Sequence, residues 1–391
     1  MFGISLCIFA ATSADRMLRQ SQGPHFVYQA DAFLHGMAEL RVKPPNNNDW
    51  IRYEGKDYVS FPPGPAVLMM PGVALFGLSF NDVLFTLIFA ALNVLLMLCV
   101  LEMLVAEGLA SLSASERLWM TALFGFGTLH YCCAVLGEVW FTAQILGVTF
   151  TLSYILCATR ARHPLLAGIF LALAFDTRVN LAFTAIYFGL QLVFPLRDGQ
   201  PAAGRLSQLA EKLALFCLPI LCMGAAQMAF NHIRFHSVFE FGHSYLAGPA
   251  GTRIAKHGLF AYHYLEWNLR AMLLRLPVLL EDFPYLGYNA DGMSIFLTTP
   301  VFVRLFWPRE RPWLYPVLWA AAIAGILPPL FYQNSGYVQF GYRFSLDVTP
   351  YLVMLLAVGR IPMNRWTKGL ILVSIAVNLA GAIAFKRTGP I

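Results

Sequence analysis

The run Val83–Ala106 carries one charge, Glu102, among residues that are otherwise almost all apolar. As a helix it measures about 36 Å, enough to cross a hydrocarbon core about 30 Å thick. The chain repeats the pattern. Leu118–Val135, Val139–Cys157, Leu165–Phe175, Leu181–Phe194, Leu213–Phe230, Ser294–Phe306, Leu314–Phe331, Phe344–Val358 and Gly369–Phe385 all read as spans, several of them short. Composition agrees. Of 391 residues 58% are hydrophobic and 12% charged, against about 45–50% and about 25% in soluble domains. The net charge of +6 is spread over short loops with no dense basic run, so nucleic acid is not an expected partner. The lipid bilayer is.

Residues Met1–Ala14 supply only about a dozen apolar positions, about 18 Å of helix. No basic segment precedes them as in a signal peptide, so they read as a first transmembrane helix that has lost its beginning. With that stub the sequence predicts an all-α polytopic membrane protein of about eleven transmembrane helices. The stretch Asp15–Phe61, with Pro24, Pro44, Pro45 and the run Asn46–Asn48, is too polar to span. Pro62–Gly77, broken by Pro63, Gly64, Pro65, Pro71 and Gly72, suits a short interfacial helix. The seven cysteines lie in apolar stretches without a CxxC pair and read as buried free thiols.

Four connections are basic: Arg160–His163, Arg197–Lys212, Arg309–Arg311 and Arg360–Lys368. Strict alternation of the spans puts all four on one side, which the positive-inside rule makes cytoplasmic. The first loop, the tips at Glu138 and Asp176–Arg178, the loop Asn231–Met293 and the segment Gln333–Arg343 fall on the opposite side. Whatever chemistry the chain performs is expected there.

The polar residues on that side are the candidates. Asp31, set among apolar and aromatic neighbours, reads either as a general base or as a loop acid. Glu138 beside Trp140 reads as a boundary residue or as a substrate ligand. Arg178 either pairs with Asp176 or binds phosphate, whose oxygens match guanidinium donors. The amide- and aromatic-rich segment Gln333–Asp347, with Gln339, Tyr342 and Arg343, suits a sugar or lipid-phosphate site or an interfacial belt. His243 and Tyr245 are the best placed polar residues of the histidine-bearing loop, whose spacing matches no metal signature. No Walker A or G-x-G-x-x-G segment is present, so any transferred group is expected to arrive on a membrane-borne donor. Glu102 is the main mid-span charge, and a transporter or lipid flippase would need more of them.

Gln29–Gly36, Tyr53–Tyr58 before Phe61–Pro65, Gly137–Gln144, Asp176–Arg178, Phe241–Tyr245 and Gly341–Asp347 together resemble the GT-C superfamily of integral-membrane glycosyltransferases. Within it, the pattern looks most like the bacterial branch related to protein O-mannosyltransferases and lipid A aminoarabinose transferases. The resemblance runs over nearly the whole chain and implies a single GT-C-like domain over 1–391. Residues 15–82 would form a first periplasmic loop with an interfacial helix, and 231–293 a second. It implies a bacterial inner-membrane enzyme with a polyprenyl-phosphate sugar donor, an inverting mechanism, and a glycan, lipid or protein acceptor. Asp31 would be the catalytic base by position. Glu138, Arg178, His243, Tyr245, Gln339, Tyr342 and Arg343 would bind substrate, Arg343 and Arg178 through the leaving phosphate. No cofactor is implied, and a divalent metal is not indicated. Asp31 is followed by Ala32 where protein mannosyltransferases carry Glu. A non-catalytic, degenerate member of the superfamily is the remaining alternative.

Overall fold

The computed structural model of the chain describes residues 1–46, 48–194, 205–281 and 286–387. The first stretch is α1 (Phe2–Ser13), α2 (His25–Leu34), the hairpin β1 (Trp50–Tyr53) and β2 (Lys56–Val59), and α3 (Gly64–Phe76). Then come α4 (Asp82–Ala106), α5 (Ala114–Phe126), α6 (Leu129–Ala134), α7 (Val139–Ala158), α8 (Pro164–Phe175), α9 (Ile186–Val193) and α10 (Arg205–Phe235). The next region holds α11 (Gly248–His257), α12 (Leu265–Leu273), β3 (Val278–Leu279), β4 (Leu286–Gly287), β5 (Asp291–Met293) and α13 (Ile295–Thr298). The chain closes with α14 (Leu314–Phe331), β6 (Gln339–Gly341), α15 (Thr349–Val358) and α16 (Arg365–Ala384).

Capping sets several of these boundaries. The Asn81 side chain accepts from the Leu84 amide at the start of α4, and Ser113 with Glu116 closes a capping box on α5. Each satisfies amides that a helix start leaves unpaired. Asn364 does the same for α16, and Pro164 opens α8 at a position where its missing amide costs nothing.

Among the described residues five helices, α4, α7, α10, α14 and α16, are long and apolar enough to cross a membrane. They coincide with expected spans. The other expected spans are shorter or broken, for local reasons. Leu118–Val135 divides at Gly127–Thr128, where Thr128 caps α6. Residues 181–194 begin as the 3-10 turn Val179–Ala185. Ser294–Phe306 divides at Pro300, and Phe344–Val358 opens with the 3-10 turn Arg343–Asp347 before Pro350 starts α15. Helix α3 has thirteen residues, about 20 Å, and is the short helix expected at Pro62–Gly77. The polar first loop is ordered around α2 and the hairpin, and α10 runs further into the second loop than expected, to Phe235.

The polar loops gather at two ends. At one, Glu107 pairs with Arg160 and Arg162, Glu310 pairs with Arg360 at 2.6 Å, and Phe194 stacks on Trp313. Three of the four expected basic connections meet there. Of the fourth, 197–212, residues 197–204 fall outside the described residues. Helices α7, α8 and α14 link this end to the other, where Trp140, Arg178 and Pro328–Pro329 emerge together. Glu102 is no midplane charge: it sits near the end of α4 and pairs with Arg117 at 2.8 Å, which removes the feature that pointed to a transporter.

Helix α7 is the axis, with 83% of its span buried. A buried helix with polar side chains must satisfy them internally. Thr142 bonds Thr86 at 2.6 Å, Thr149 donates to Asn93 at 2.6 Å, and Gln144 donates to the Arg343 carbonyl at 2.7 Å. Just before α7, Gly137 has φ +74°, and a Cβ there would lie 2.5 Å from the Val83 backbone. Only glycine lets the two segments approach so closely. Of the cysteines, Cys132 and Cys133 are buried, whereas Cys7, Cys99 and Cys222 lie on the exposed apolar surface.

Candidate active site

A chamber of about 460 Å3 opens at the end away from the basic loops. Its walls come from the first loop, the tip after α8, the segment around His243, the end of α14 and the segment 332–344. The first loop is brought there by buried polar contacts. His25 stacks on Trp50 with ring centres 4.1 Å apart, and its Nε2 donates to the Asn48 carbonyl at 2.8 Å. Arg234 of α10 is buried, lies over the Phe230 and Phe235 rings, and donates to the Val59 carbonyl at 3.0 Å. Ile51 pairs with Leu246 as an isolated bridge, carrying the His243 segment onto the hairpin.

These contacts place Asp49 in the chamber wall. It sits in the turn before β1, and its Oδ2 accepts from the Trp140 indole N–H at 2.6 Å. Its charge acts on His25, His243 and Arg343. Sequence reasoning did not single it out. Its partner Trp140 is distant in the chain, and no local pattern marks an acid after an Asn run as a site residue.

Arg343 is the opposing cation. It is buried, its Nε donates to the Gly336 carbonyl at 3.1 Å, and it lies over the Phe141 and Phe344 rings at 5.3 and 5.4 Å. No ion pair to Arg343 exists among the described residues. Burial, and then the neighbouring charge of Arg178, lowers its pKa to about 10. Arg178 is in a different state. It reaches across the bundle to Asp347, with Nε–Oδ1 and Nη2–Oδ2 both 2.7 Å. Asn180 donates to the same carboxylate at 2.9 Å. Of the two readings of Arg178, the pair with Asp176 does not form, since Asp176 is taken by Gln227 and Arg178 by Asp347. The chamber thus holds one neutralised guanidinium and one that is not. His243 also lines it. Burial lowers the pKa of His243, and its Nδ1 has no hydrogen-bond partner. The rest of the wall is mainly aromatic and apolar, including Phe61, Phe183, Phe260 and Phe344.

Arg178, His243 and Arg343 are the expected site residues that the fold brings together. Asp31 is not in the chamber lining. Its carboxylate is held on α2 by Arg41 at 3.2 Å and His35 at 3.7 Å. Glu138 faces a second cavity and pairs with Lys386. Tyr245 packs on Tyr53, with ring centres 4.7 Å apart. Gln339 supports the chamber from behind: its Oε1 accepts from the Arg343 amide, and its Nε2 donates to the Ser335 and Asp291 carbonyls. Tyr342 is fully buried against Phe344. Among the described residues no group of three His, Cys, Asp or Glu side chains could hold a metal ion.

No protein-family model and no curated protein matches the chain. Solved structures do. ArnT from Cupriavidus metallidurans bound to undecaprenyl phosphate superposes with a TM-score of 0.51 and 16% identity, over 96% of this chain and 62% of ArnT. ArnT in the apo state gives 0.49 and 15%, over 95% and 61%. The Archaeoglobus fulgidus oligosaccharyltransferase gives 0.44 and 12%, over 98% and 56%. The chain spans about three fifths of ArnT's length, and at this identity the likeness speaks to fold. The chain is a polytopic membrane protein with the GT-C fold.

Proposed function

We propose that the protein is a membrane glycosyltransferase that moves a sugar from a polyprenyl-phosphate donor to an acceptor hydroxyl or amine in the chamber. The observation that carries this reading is that Asp49 and Arg343, a carboxylate and a guanidinium that form no ion pair with each other, line one aromatic-walled chamber. A buried guanidinium without a carboxylate is costly, and a phosphate entering the chamber relieves that cost with charge-assisted hydrogen bonds. The apolar wall suits an isoprenoid chain, and the GT-C fold is shared with ArnT, whose structure holds undecaprenyl phosphate.

In this reading Asp49 takes the proton from the acceptor as the acceptor attacks the anomeric carbon. The bond from that carbon to the phosphate oxygen breaks, with inversion, and the electron pair leaves on the polyprenyl phosphate. Arg343 stabilises the charge that develops there, and a fixed donor in a water-poor site is effective at this. The Trp140 indole N–H holds the Asp49 carboxylate in orientation. Arg178 and Asp347 form a neutral pair that keeps the segment 343–347 in place. The positive-inside rule puts the chamber on the extracytoplasmic face, since the basic connections gather at the other end.

Asp49 and Asp31 make the test. Membrane vesicles with the full-length chain are supplied with labelled polyprenyl-phosphate sugars and acceptor lipid. D49N is expected to cut transfer by about 100-fold or more, the range for loss of a general base, and D31N to keep most of it. Loss with D31N and retention with D49N would return the base to α2. Full activity in both would end the carboxylate-base mechanism.

A further inference from the structure

Beside the chamber, at the same end of the bundle, lies a second cavity of about 460 Å3. Its charged lining is Arg16, Arg19, Lys386 and Arg387 against Asp15 and Glu138. Four cations face two acids, and the acids are already used: Glu138, itself buried, by Lys386, and Asp15 by Arg19 at 2.6 Å. The other two cations are held mainly by neutral groups, and Arg387 also lies 3.9 Å from the Asp15 carboxylate that Arg19 occupies. Arg387 donates to the carbonyls of Thr12 at 3.0 Å, Ser13 at 2.8 Å and Ile383 at 3.1 Å. Arg16 donates from Nη2 to the Phe385 carbonyl at 2.7 Å, while its Nη1 is buried without a hydrogen-bond partner. Carbonyl oxygens orient a guanidinium without cancelling its charge.

The position is informative as well. Val83, at the start of a membrane-length helix, and Leu136 form the apolar part of the lining. The cavity therefore sits where apolar helices give way to polar loops, the depth of lipid headgroups. Basic side chains are disfavoured on the side away from the basic loops, so a cluster held there calls for an anion. Trp140, in the chamber wall, connects the two: Lys386 of the second cavity lies over its ring at 5.3 Å, and its N–H holds Asp49.

We propose that this second cavity is an anion site that takes a phosphate group, from a lipid headgroup or free in solution. The proposal does not rest on sugar transfer and is tested without it. Purified full-length protein in nonionic detergent is titrated calorimetrically with inorganic phosphate, short-chain phosphatidic acid and short-chain phosphatidylcholine. The titrations are run in the wild type and in an R343Q background that silences the chamber. Arg19 is exposed and bonds only to Asp15, so R19E keeps the fold, and it is expected to weaken phosphate binding by about tenfold, the effect of one charge-assisted hydrogen bond. E138Q frees Lys386 and is expected to tighten it. Equal binding of inorganic phosphate and phosphatidic acid assigns the site to free phosphate, and binding of phosphatidic acid alone assigns it to a headgroup. Equal affinity for phosphatidylcholine, no binding of either phosphate probe, indifference to R19E, or weakening by E138Q would overturn the proposal. If R343Q does not fold, the same R19E and E138Q shifts are read in the wild type, and their absence there also overturns it.

Discussion

At Gly336 the backbone takes φ +103°, and a Cβ would meet Gln339 Oε1 at 2.5 Å and Arg343 Nε at 2.9 Å. The residue that lets the loop turn is also the one whose carbonyl holds Arg343. G336A should therefore cost about 1–2 kcal/mol of stability, by strain at a positive φ, and should weaken undecaprenyl phosphate binding in detergent. Unchanged affinity would separate Arg343 from the lipid phosphate. His243 and His25 give a pH signature. Burial lowers both pKa values, so the folded state binds fewer protons than the unfolded chain. Stability from the neutral rings is then complete above about pH 6.5, the unfolded value, and is lost as pH falls below it. Melting temperature should drop between about pH 6.5 and 5, and less steeply in H243N. A slope identical in H243N would show that His243 is not buried neutral.

Among the elements, the long spans were legible because each is a long apolar run, and two of them also have a cap residue in front, Asn81 before α4 and Asn364 before α16. The broken spans were not, because Pro300 and Pro350 lie inside apolar runs and act only through local geometry. The site was legible in part. Arg343 and Arg178 stood out as cations beside apolar helices, but the Arg178 partner is 169 residues away in Asp347. Periodicity carries no trace of such a pair. Asp49 was illegible for the same reason: its place depends on Trp140, on the His25–Trp50 stack and on Arg234 of α10. The last of these is open to test. R234M removes the donor to the buried Val59 carbonyl and should destabilise the protein by about 1–3 kcal/mol, the cost of a buried unsatisfied group. It should also slow transfer, since the hairpin carries Asp49. Wild-type melting and rate in R234M would show that the hairpin holds itself.

For the whole molecule, two separated ends imply two compartments. Helices α7, α8 and α14 run between them, so the described loops at each end belong to one side or the other. In a cysteine-free background, cysteines at Arg311 and Lys256 should be labelled by a membrane-impermeant maleimide from opposite faces of sealed vesicles. The position at 311 should be reached only from the cytoplasmic face. Labelling of both from one face would contradict the arrangement. The eleven expected spans follow from apolar content alone, whereas a fold uses that content also for short helices and 3-10 turns. Hydropathy therefore told the solvent of this chain more surely than its count of crossings.

The lone guanidinium of Arg343 bears on how the protein is made as well as on how it works. Apolar packing around it cannot neutralise it, so burying it costs stability, and in the proposed function a lipid phosphate offsets that cost. A ligand that binds only the native state raises its stability by mass action. The lipid would then serve as a folding aid before it serves as a reactant. Cells short of it would hold less of the mature protein, and preparations stripped of it during purification would age faster than those to which it is returned.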